Sequence, residues 1–272
     1  MTDKYAVIGN PIEHSKSPQI HAEFAKQTNQ DISYEAVFAT LDGFEVKVRE
    51  LIAQGYKGAN VTVPFKFEAF NLCNELTERA TFARAVNTLS FIAGKILGDN
   101  TDGAGLVRDI TKNLKCIISA KSVLLMGAGG AAYGVVLPLL EAGAILSVAN
   151  RTPEKAKRLA ETYNQKEIRV CDGSYKDFEN NAFDVVINAT SSGLSDELPA
   201  ISGKNFADNG LAYDMMYSRE TAFKKLAIGS KSQNLQFADG LGMLVEQAAE
   251  AFYLWRDVRP ETALVIDLLR NK

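Results

Sequence analysis

The sequence predicts an α/β fold in two domains, and three observations carry that prediction. Strand-like and helix-like segments alternate from one end of the 272 residues to the other, the signature of helices layered on sheet. The strands of the second half, such as "SVLLM" and "ILSVAN", are short and almost wholly apolar, which suits a parallel sheet covered on both faces. One of them runs directly into the glycine turn "GAGGAA" ahead of a helical stretch.

In order, "KYAVIG" reads as a first strand and "SPQIHAEFAKQT" as a helix, with Ser17 its expected N-cap and Pro18 in the first turn, where a missing N–H does no harm. "SYEAVFA" is strand-like, and "GFEVKVRELIAQG" is an amphipathic helix closed by Gly55. In "GANVTVPFK", Val61 and Val63 alternate with Asn60 and Thr62 as in a pleated strand, until Pro64 stops it. "TLSFIAGKILGDN" reads as a hairpin turning at Ala93–Gly94. The character then changes, and the boundary is expected in a helix around Gly103 to Asn113. "SVLLM", the helix "AAYGVVLPLLEAG", "ILSVAN", "PEKAKRLAETYN", "FDVVINAT" and "LAYDM" continue the alternation. Two helices, "LGMLVEQAAEAFYLWRD" and "PETALVIDLLRN", follow.

Composition excludes several classes. Apolar residues make up 46% and charged residues 23%, so the chain can bury a full core. A net charge of −3 with no basic stripe argues against nucleic acid as a partner. Cys73, Cys116 and Cys171 lie far apart, with no CxxC and no Cys/His cluster, so no disulfide and no metal site is expected, and all three read as small buried side chains. The start, "MTDKYAVIGN", lacks the pattern of a signal peptide, and Pro138 and Glu141 interrupt the longest apolar run. A cytoplasmic protein that does not enter the membrane is the expectation.

The glycine turn carries the first chemistry. Gly127 and Gly129 stand in a G-x-G-x-x-A pattern after a strand and before a helix, the arrangement of a Rossmann-type dinucleotide site. Glycine permits the tight turn, and without a side chain its N–H can approach a pyrophosphate at the positive end of the helix. About twenty residues further on, an NAD site carries Asp or Glu against the ribose hydroxyls. Here the next strand ends on Asn150, Arg151 and Thr152, with Lys155 one turn later. A guanidinium pairs with a 2′-phosphate that a carboxylate would repel, so the expected cofactor is NADP.

Lys66 is the second candidate. Alone it reads as a surface lysine covering apolar area with its stem. Its place at a strand end, where open α/β sheets put their chemistry, gives it a second reading. "GNPIEHSKSP", "NVTVPFK", "AVNT" and "GDNTDG" all sit near strand ends and offer hydroxyls, amides and a carboxylate, a set suited to a small hydroxyl-rich ligand. His14 reads as support for the Ser15 loop, His21 as a packed or solvated helix residue, and Trp255 as core.

With these residues in hand, the chain resembles the shikimate dehydrogenase family. "GNPIEHSKSP", "NVTVPFK", "AVNT", "DNTDG", "GAGGAA", "NRT", "INATSSG", "YDMMY" and "DGLGMLVEQAAEAFYLW" occur in the family's order over nearly the whole length. The resemblance implies reversible NADPH-dependent reduction of 3-dehydroshikimate to shikimate. It implies an N-terminal α/β substrate domain, residues 1–104, completed by returning helices at 241–272, and a doubly wound NADP domain at 105–240. Matched position by position, Ser15 and Ser17 would hold the substrate carboxylate. Thr62, Asn87 and Asp102 would bind ring hydroxyls, and Tyr217 and Gln247 would complete the site. Lys66 would be the catalytic acid/base, paired with Asp102. Gly127, Ala128, Gly129, Gly130, Ala131, Asn150, Arg151, Thr152 and Lys155 would hold NADP, with Glu78, Met215 and Gly240 lining its cleft. The resemblance leaves room for a homodimer. Ala132–Tyr133 depart from the small polar or basic pair many relatives carry. Alternatives are a quinate dehydrogenase of broader specificity, a non-catalytic NADP-binding regulator, which would lack Lys66 or Asp102, and a dehydrogenase of folate one-carbon units, which lacks the Ser-x-Ser and "DNTDG" pair.

Overall fold

A computed structural model describes residues 2–164, 169–190, 201–217 and 219–271. The chain forms two compact units, Met1–Gly105 with Leu244–Lys272, and Leu106–Met243.

The first unit is built on a mixed sheet. Its strands are β1 (Asp3–Gly9), β2 (Ile32–Phe38), β3 (Tyr56–Val61), β4 (Glu75–Leu76), β5 (Thr88–Ile92) and β6 (Lys95–Asp99), in the order β2-β1-β3-β5-β6-β4. β1 lies parallel between β2 and β3 and is buried from Tyr5 to Gly9, as an interior strand must be. β5 and β6 form the expected hairpin, antiparallel to each other, with β5 antiparallel to β3. Its two turn residues, Ala93 and Gly94, both have positive φ (50° and 76°), which matches the twist of the flanking strands. Helices α1 (Ser17–Thr28), α2 (Phe44–Ala53), α3 (Lys66–Leu72) and α4 (Glu78–Ala83) cover it, and α5 (Asp102–Arg108) follows β6. Ile8, Phe44, Val48, Leu51, Phe65 and Leu89 belong to one core, with Phe44 stacked on Phe65 at 5.0 Å.

The second unit is wholly parallel. After α5 the helix continues as a π turn over Asp109–Asn113, followed by β7 (Ser122–Met126), α6 (Gly130–Glu141), β8 (Ile145–Ala149), α7 (Pro153–Asn164), β9 (Cys171–Gly173), β10 (Phe183–Asn188), β11 (Phe206–Asp214), α8 (Ala222–Ile228) and β12 (Gln236–Asp239). The order β12-β11-β10-β7-β8-β9 is that of a doubly wound dinucleotide-binding sheet, and it reverses between β7 and β10. Val123 to Met126 and Val185 to Asn188 are buried throughout, which is why these strands read as apolar runs.

α9 (Leu241–Arg256) and α10 (Ala263–Arg270) follow, and from Leu244 onward they belong to the first unit. There Trp255 stacks on Tyr5 at 4.5 Å and donates its indole N–H to Leu89 O at 3.2 Å, while Phe252 packs edge-on against Phe24.

Three expectations need correction. Ser17 is the first residue of α1 rather than its cap. Lys16 holds the cap position with no side-chain bond, and Ser15 Oγ, two residues upstream, accepts from the Ser17 N–H at 3.3 Å. β3 starts earlier and ends at Val61, so Val63, beyond the ladder, is 67% exposed. Cys171 is exposed because it opens the edge strand β9, and Cys73 and Cys116 are half-buried. Part of "INATSSG" (191–193) lies outside the described residues. No helix among the described residues is long and apolar enough to cross a membrane.

Candidate active site

The first unit gathers a polar centre where β3, β5 and β6 meet their loops. The chain leaves β3 at Val61. Thr62 N–H donates to Ile8 O at 2.9 Å, and Phe65 N–H donates to Thr62 O at 3.0 Å, which closes the turn through Pro64. Fully buried Phe65 anchors that turn in the core, so the next residue, Lys66, opens α3 from a fixed base. Asp102 opens α5, its N–H donating to Asn100 Oδ1 at 3.1 Å. The two meet, Lys66 Nζ lying 2.6 Å from Asp102 Oδ2. Phe67 is half exposed and Phe65 lies in the core against Phe44, so the two flanking aromatics do not enclose Lys66 together.

Asn87 stands immediately before β5 and ties the centre together. Its Nδ2 donates to Asp102 Oδ1 at 2.8 Å, to Thr101 Oγ1 at 2.9 Å and to Gln247 Oε1 at 3.3 Å. Its Oδ1 accepts from Thr101 N–H at 2.8 Å and from Thr88 Oγ1 at 2.9 Å. Gln247 comes from α9 and is oriented by donating Nε2 to Leu244 O at 2.8 Å. Four expected site residues, Lys66, Asn87, Asp102 and Gln247, are thus joined by direct hydrogen bonds. Ser15 and Ser17 adjoin each other in the loop opening α1. Thr62 is half-buried beside Gly9, where an added Cβ would come within 2.5 Å of its methyl group. Lys66 and Asp102 form an ammonium–carboxylate pair that is partly open to solvent, their side chains 22% and 9% exposed. Such a pair can stabilise a developing oxyanion and deliver a proton to it.

Sequence reading missed several neighbours. Asn60 bridges to Asn87 O and Thr88 Oγ1, and Tyr34 in β2 donates to Asn60 Oδ1 at 2.7 Å. Fully buried His21 stacks flat on Tyr34, centroids 4.0 Å apart. Burial pushes its imidazole pKa down to about 3. Among the described residues neither ring nitrogen has a partner at ordinary hydrogen-bond geometry, although the Asn60 carboxamide is close enough to oppose the shift. His14 is exposed. Arg79 was also missed. Its guanidinium forks onto Asp99 (2.6 and 2.8 Å) and reaches Glu250 at 3.0 Å, and Glu250 also pairs with Arg259.

The second unit carries the glycine turn at the C-terminal end of β7, where the strand order reverses. Gly127 has φ +102°, and a Cβ there would lie 3.1–3.2 Å from Thr190 and the Ala189 backbone. A Cβ on Gly129, which caps α6, would meet nothing within 4 Å among the described residues, which leaves room there for an anion at the helix N-terminus. Arg151, Thr152 and Lys155 are exposed where β8 passes into α7, and Asn150 Nδ2 donates to Thr152 O at 2.9 Å. Arg151 lies close enough to Tyr175 to oppose the upward push of burial on its phenol. An open helix N-terminus with a guanidinium at the next strand end fits a phosphorylated dinucleotide. Gly240 and Met215 also come together, since a Cβ on Gly240 would stand 2.2 Å from Met215 O. Tyr217 is half-buried, and Glu78, in the first unit, is the exposed first residue of α4. Among the described residues no group of three or more His, Cys, Asp or Glu could hold a metal ion.

A doubly wound parallel sheet with this turn, in one chain with a mixed-sheet unit bearing a lysine–carboxylate pair, defines a dinucleotide-dependent oxidoreductase class. Three family models match along the chain: a shikimate dehydrogenase substrate binding domain over residues 7–89, a shikimate/quinate 5-dehydrogenase over 108–196, and a shikimate 5′-dehydrogenase C-terminal domain over 240–270. The shikimate dehydrogenase (NADP(+)) of Methylobacillus flagellatus is 57% identical over 98% of this chain and 99% of its own. Among solved structures, an Ael1 enzyme from Pseudomonas putida superposes with a TM-score of 0.93 at 45% identity, covering 98% of both chains. The shikimate 5-dehydrogenase of Thermus thermophilus, in complex with NADP(H) and shikimate, gives 0.87 at 30% identity, covering 99% of both. The chain belongs to the shikimate dehydrogenase family.

Proposed function

We propose that the Lys66–Asp102 pair is the proton-transfer centre of this chain. Its activity is NADP-dependent shikimate dehydrogenation, the interconversion of shikimate and 3-dehydroshikimate in aromatic amino-acid biosynthesis. The single observation that carries the assignment is the 2.6 Å approach of Lys66 Nζ to Asp102 Oδ2, within a cluster that also holds Asn87 and Gln247.

When bound, the nicotinamide supplies or takes the hydride. The chain's own residues handle the proton and the grip. In reduction the Lys66 ammonium gives a proton to the substrate oxygen as negative charge develops on it, and in the reverse direction the neutral amine takes the hydroxyl proton. Asp102 holds Nζ in place and offers a carboxylate to a ring hydroxyl. Asn87 and Gln247 bind hydroxyls through amides already oriented by their neighbours. Thr62 adds a hydroxyl, and Ser15 and Ser17 donate to the substrate carboxylate. The N–H groups of the 127–131 turn take the pyrophosphate. Arg151, Thr152, Asn150 and Lys155 take the 2′-phosphate and its ribose, with Met215 and Gly240 beside the cofactor. Tyr217 and Glu78 enter the reading through the family match alone, as does a homodimer, and a cytoplasmic location enters through the sequence.

Absorbance of the nicotinamide, followed with shikimate or quinate and with NADP or NAD, tests this reading. Turnover is expected with shikimate and NADP. Faster turnover with quinate and NAD would transfer the chain to the broader-specificity alternative.

A further inference from the structure

The reach of the proton-transfer centre extends well beyond the residues expected to touch substrate. From Lys66 a line of hydrogen bonds, buried at its middle and part-buried at both ends, runs back through Asp102, Asn87, Thr88 and Asn60 to Tyr34 on β2. Its direction is fixed at two points by backbone groups that cannot reverse. Thr101 N–H, a donor only, faces Asn87 Oδ1 at 2.8 Å, so Asn87 Nδ2 must face Asp102 Oδ1. Asn87 O, an acceptor only, faces Asn60 Nδ2 at 3.2 Å, so Asn60 Oδ1 must face Tyr34. Between them, Thr88 Oγ1 accepts from Asn60 Nδ2 at 3.0 Å and donates its own O–H to Asn87 Oδ1 at 2.9 Å. The phenol must therefore donate at its 2.7 Å contact, and every bond from Tyr34 to Asp102 points the same way. Hydrogen bonds aligned head to tail in a buried site polarise and strengthen one another.

We propose that Tyr34 is a positioning residue for the reaction. Through Asn60, Thr88 and Asn87 it holds the Asp102 carboxylate where that group in turn holds the Lys66 ammonium. Tyr34 is itself placed by the flat stack of His21, at 4.0 Å and 5° between planes. The Ser17 hydroxyl lies close enough to the phenol to oppose the upward push that burial exerts on it. The far end of the line therefore begins beside a residue assigned to the substrate carboxylate. The inference rests on the Lys66–Asp102 reading and adds a residue that touches neither substrate nor cofactor in it.

Tyr34→Phe removes one oxygen and keeps the ring. Losing one neutral hydrogen bond from the line is expected to lower kcat about 3- to 10-fold. The KM for shikimate and the affinity for NADP should stay near their original values, and Tm should fall by no more than several degrees for the acceptor left on Asn60. Thr88→Val cuts the same line, so the double variant should be no slower than the slower single one, because a line already broken loses little from a second break. Unchanged kcat in Tyr34→Phe, losses that multiply in the double variant, or a loss that appears only as lowered Tm or raised KM would each overturn the proposal. Lys66→Met, assayed in parallel, separates the two levels. If it abolishes turnover while Tyr34→Phe changes nothing, the positioning role fails and the proton-transfer reading stands. If Lys66→Met keeps its turnover, both fall.

Discussion

Lys66 and Asp102 open two different helices, and their side chains meet at 2.6 Å. Their backbones are anchored separately, by buried Phe65 and by Asn100, so either side chain can be changed while the other residue's backbone stays in place. Lys66→Met keeps most of the stem and removes the ammonium. Because general acid–base catalysis contributes about 10² to 10⁴ in rate, kcat should fall by that order while NADP binding is retained. Asp102→Asn keeps the shape and loses the charge, and should lower kcat by less than Lys66→Met does. Stopped-flow hydride transfer with cofactor titration measures both. A Lys66→Met enzyme saturated with both ligands and within a few-fold of the original kcat would reject the role.

Arg151 is exposed at the end of β8. If its guanidinium reads the 2′-phosphate, Arg151→Ala removes a charge-assisted contact of roughly 1.5–3 kcal/mol, about 10- to 150-fold in NADP affinity. NAD should bind as before. Calorimetric titration of both cofactors decides the matter, and equal losses would refute the assignment.

Asp99 links pH to stability. Burial alone would raise its carboxyl pKa, but the Arg79 guanidinium, Thr77 and the Asn100 N–H together hold it below the ordinary carboxylate value. A folded-state pKa lower than the unfolded one means stability that is complete above the unfolded value and disappears as pH falls through the folded one. Asp99→Asn should therefore cost about 2–3 kcal/mol at neutral pH. The gap from the original protein should close progressively below about pH 4, where unfolded Asp titrates. Urea melts at several pH values would show it, and a gap that persisted or widened in acid would contradict the pairing.

Gly240 separates packing from cofactor binding. A methyl group there would stand 2.2 Å from Met215 O, an immovable backbone atom. Gly240→Ala should destabilise the free protein by about 1–3 kcal/mol, seen by denaturant unfolding with no cofactor present. A variant of unchanged stability that binds NADP poorly would make Gly240 a cofactor residue alone.

Much of this was legible in the sequence where local chemistry decides structure. Ala93–Gly94 announced the hairpin, the glycines announced the turn after β7, and Pro64 marked the turn that follows β3, with Lys66 just beyond it. What was not legible depends on partners far apart in the chain. Nothing in "SYEAVFA" tells that Tyr34 meets Asn60, 26 positions later. Nothing near Arg79 reveals that it pairs with Asp99 and with Glu250, 171 positions on. The failed Ser17 cap has the opposite origin, since two hydroxyls two residues apart compete for one local role and Ser15 supplies the bond. The two-residue strand β4 carries no periodicity that could be seen.

The first unit is assembled from both ends of the sequence, whereas the second is one uninterrupted stretch. During synthesis the usual order, in which the N-terminal domain folds first, is therefore unavailable to this chain. The N-terminal sheet lacks Phe252 and Trp255 until the stretch after Met243 has joined it. The polar centre with Asn87 and Lys66 is completed by Gln247, so two stretches of sequence separated by an entire folded unit must find each other before the centre is whole.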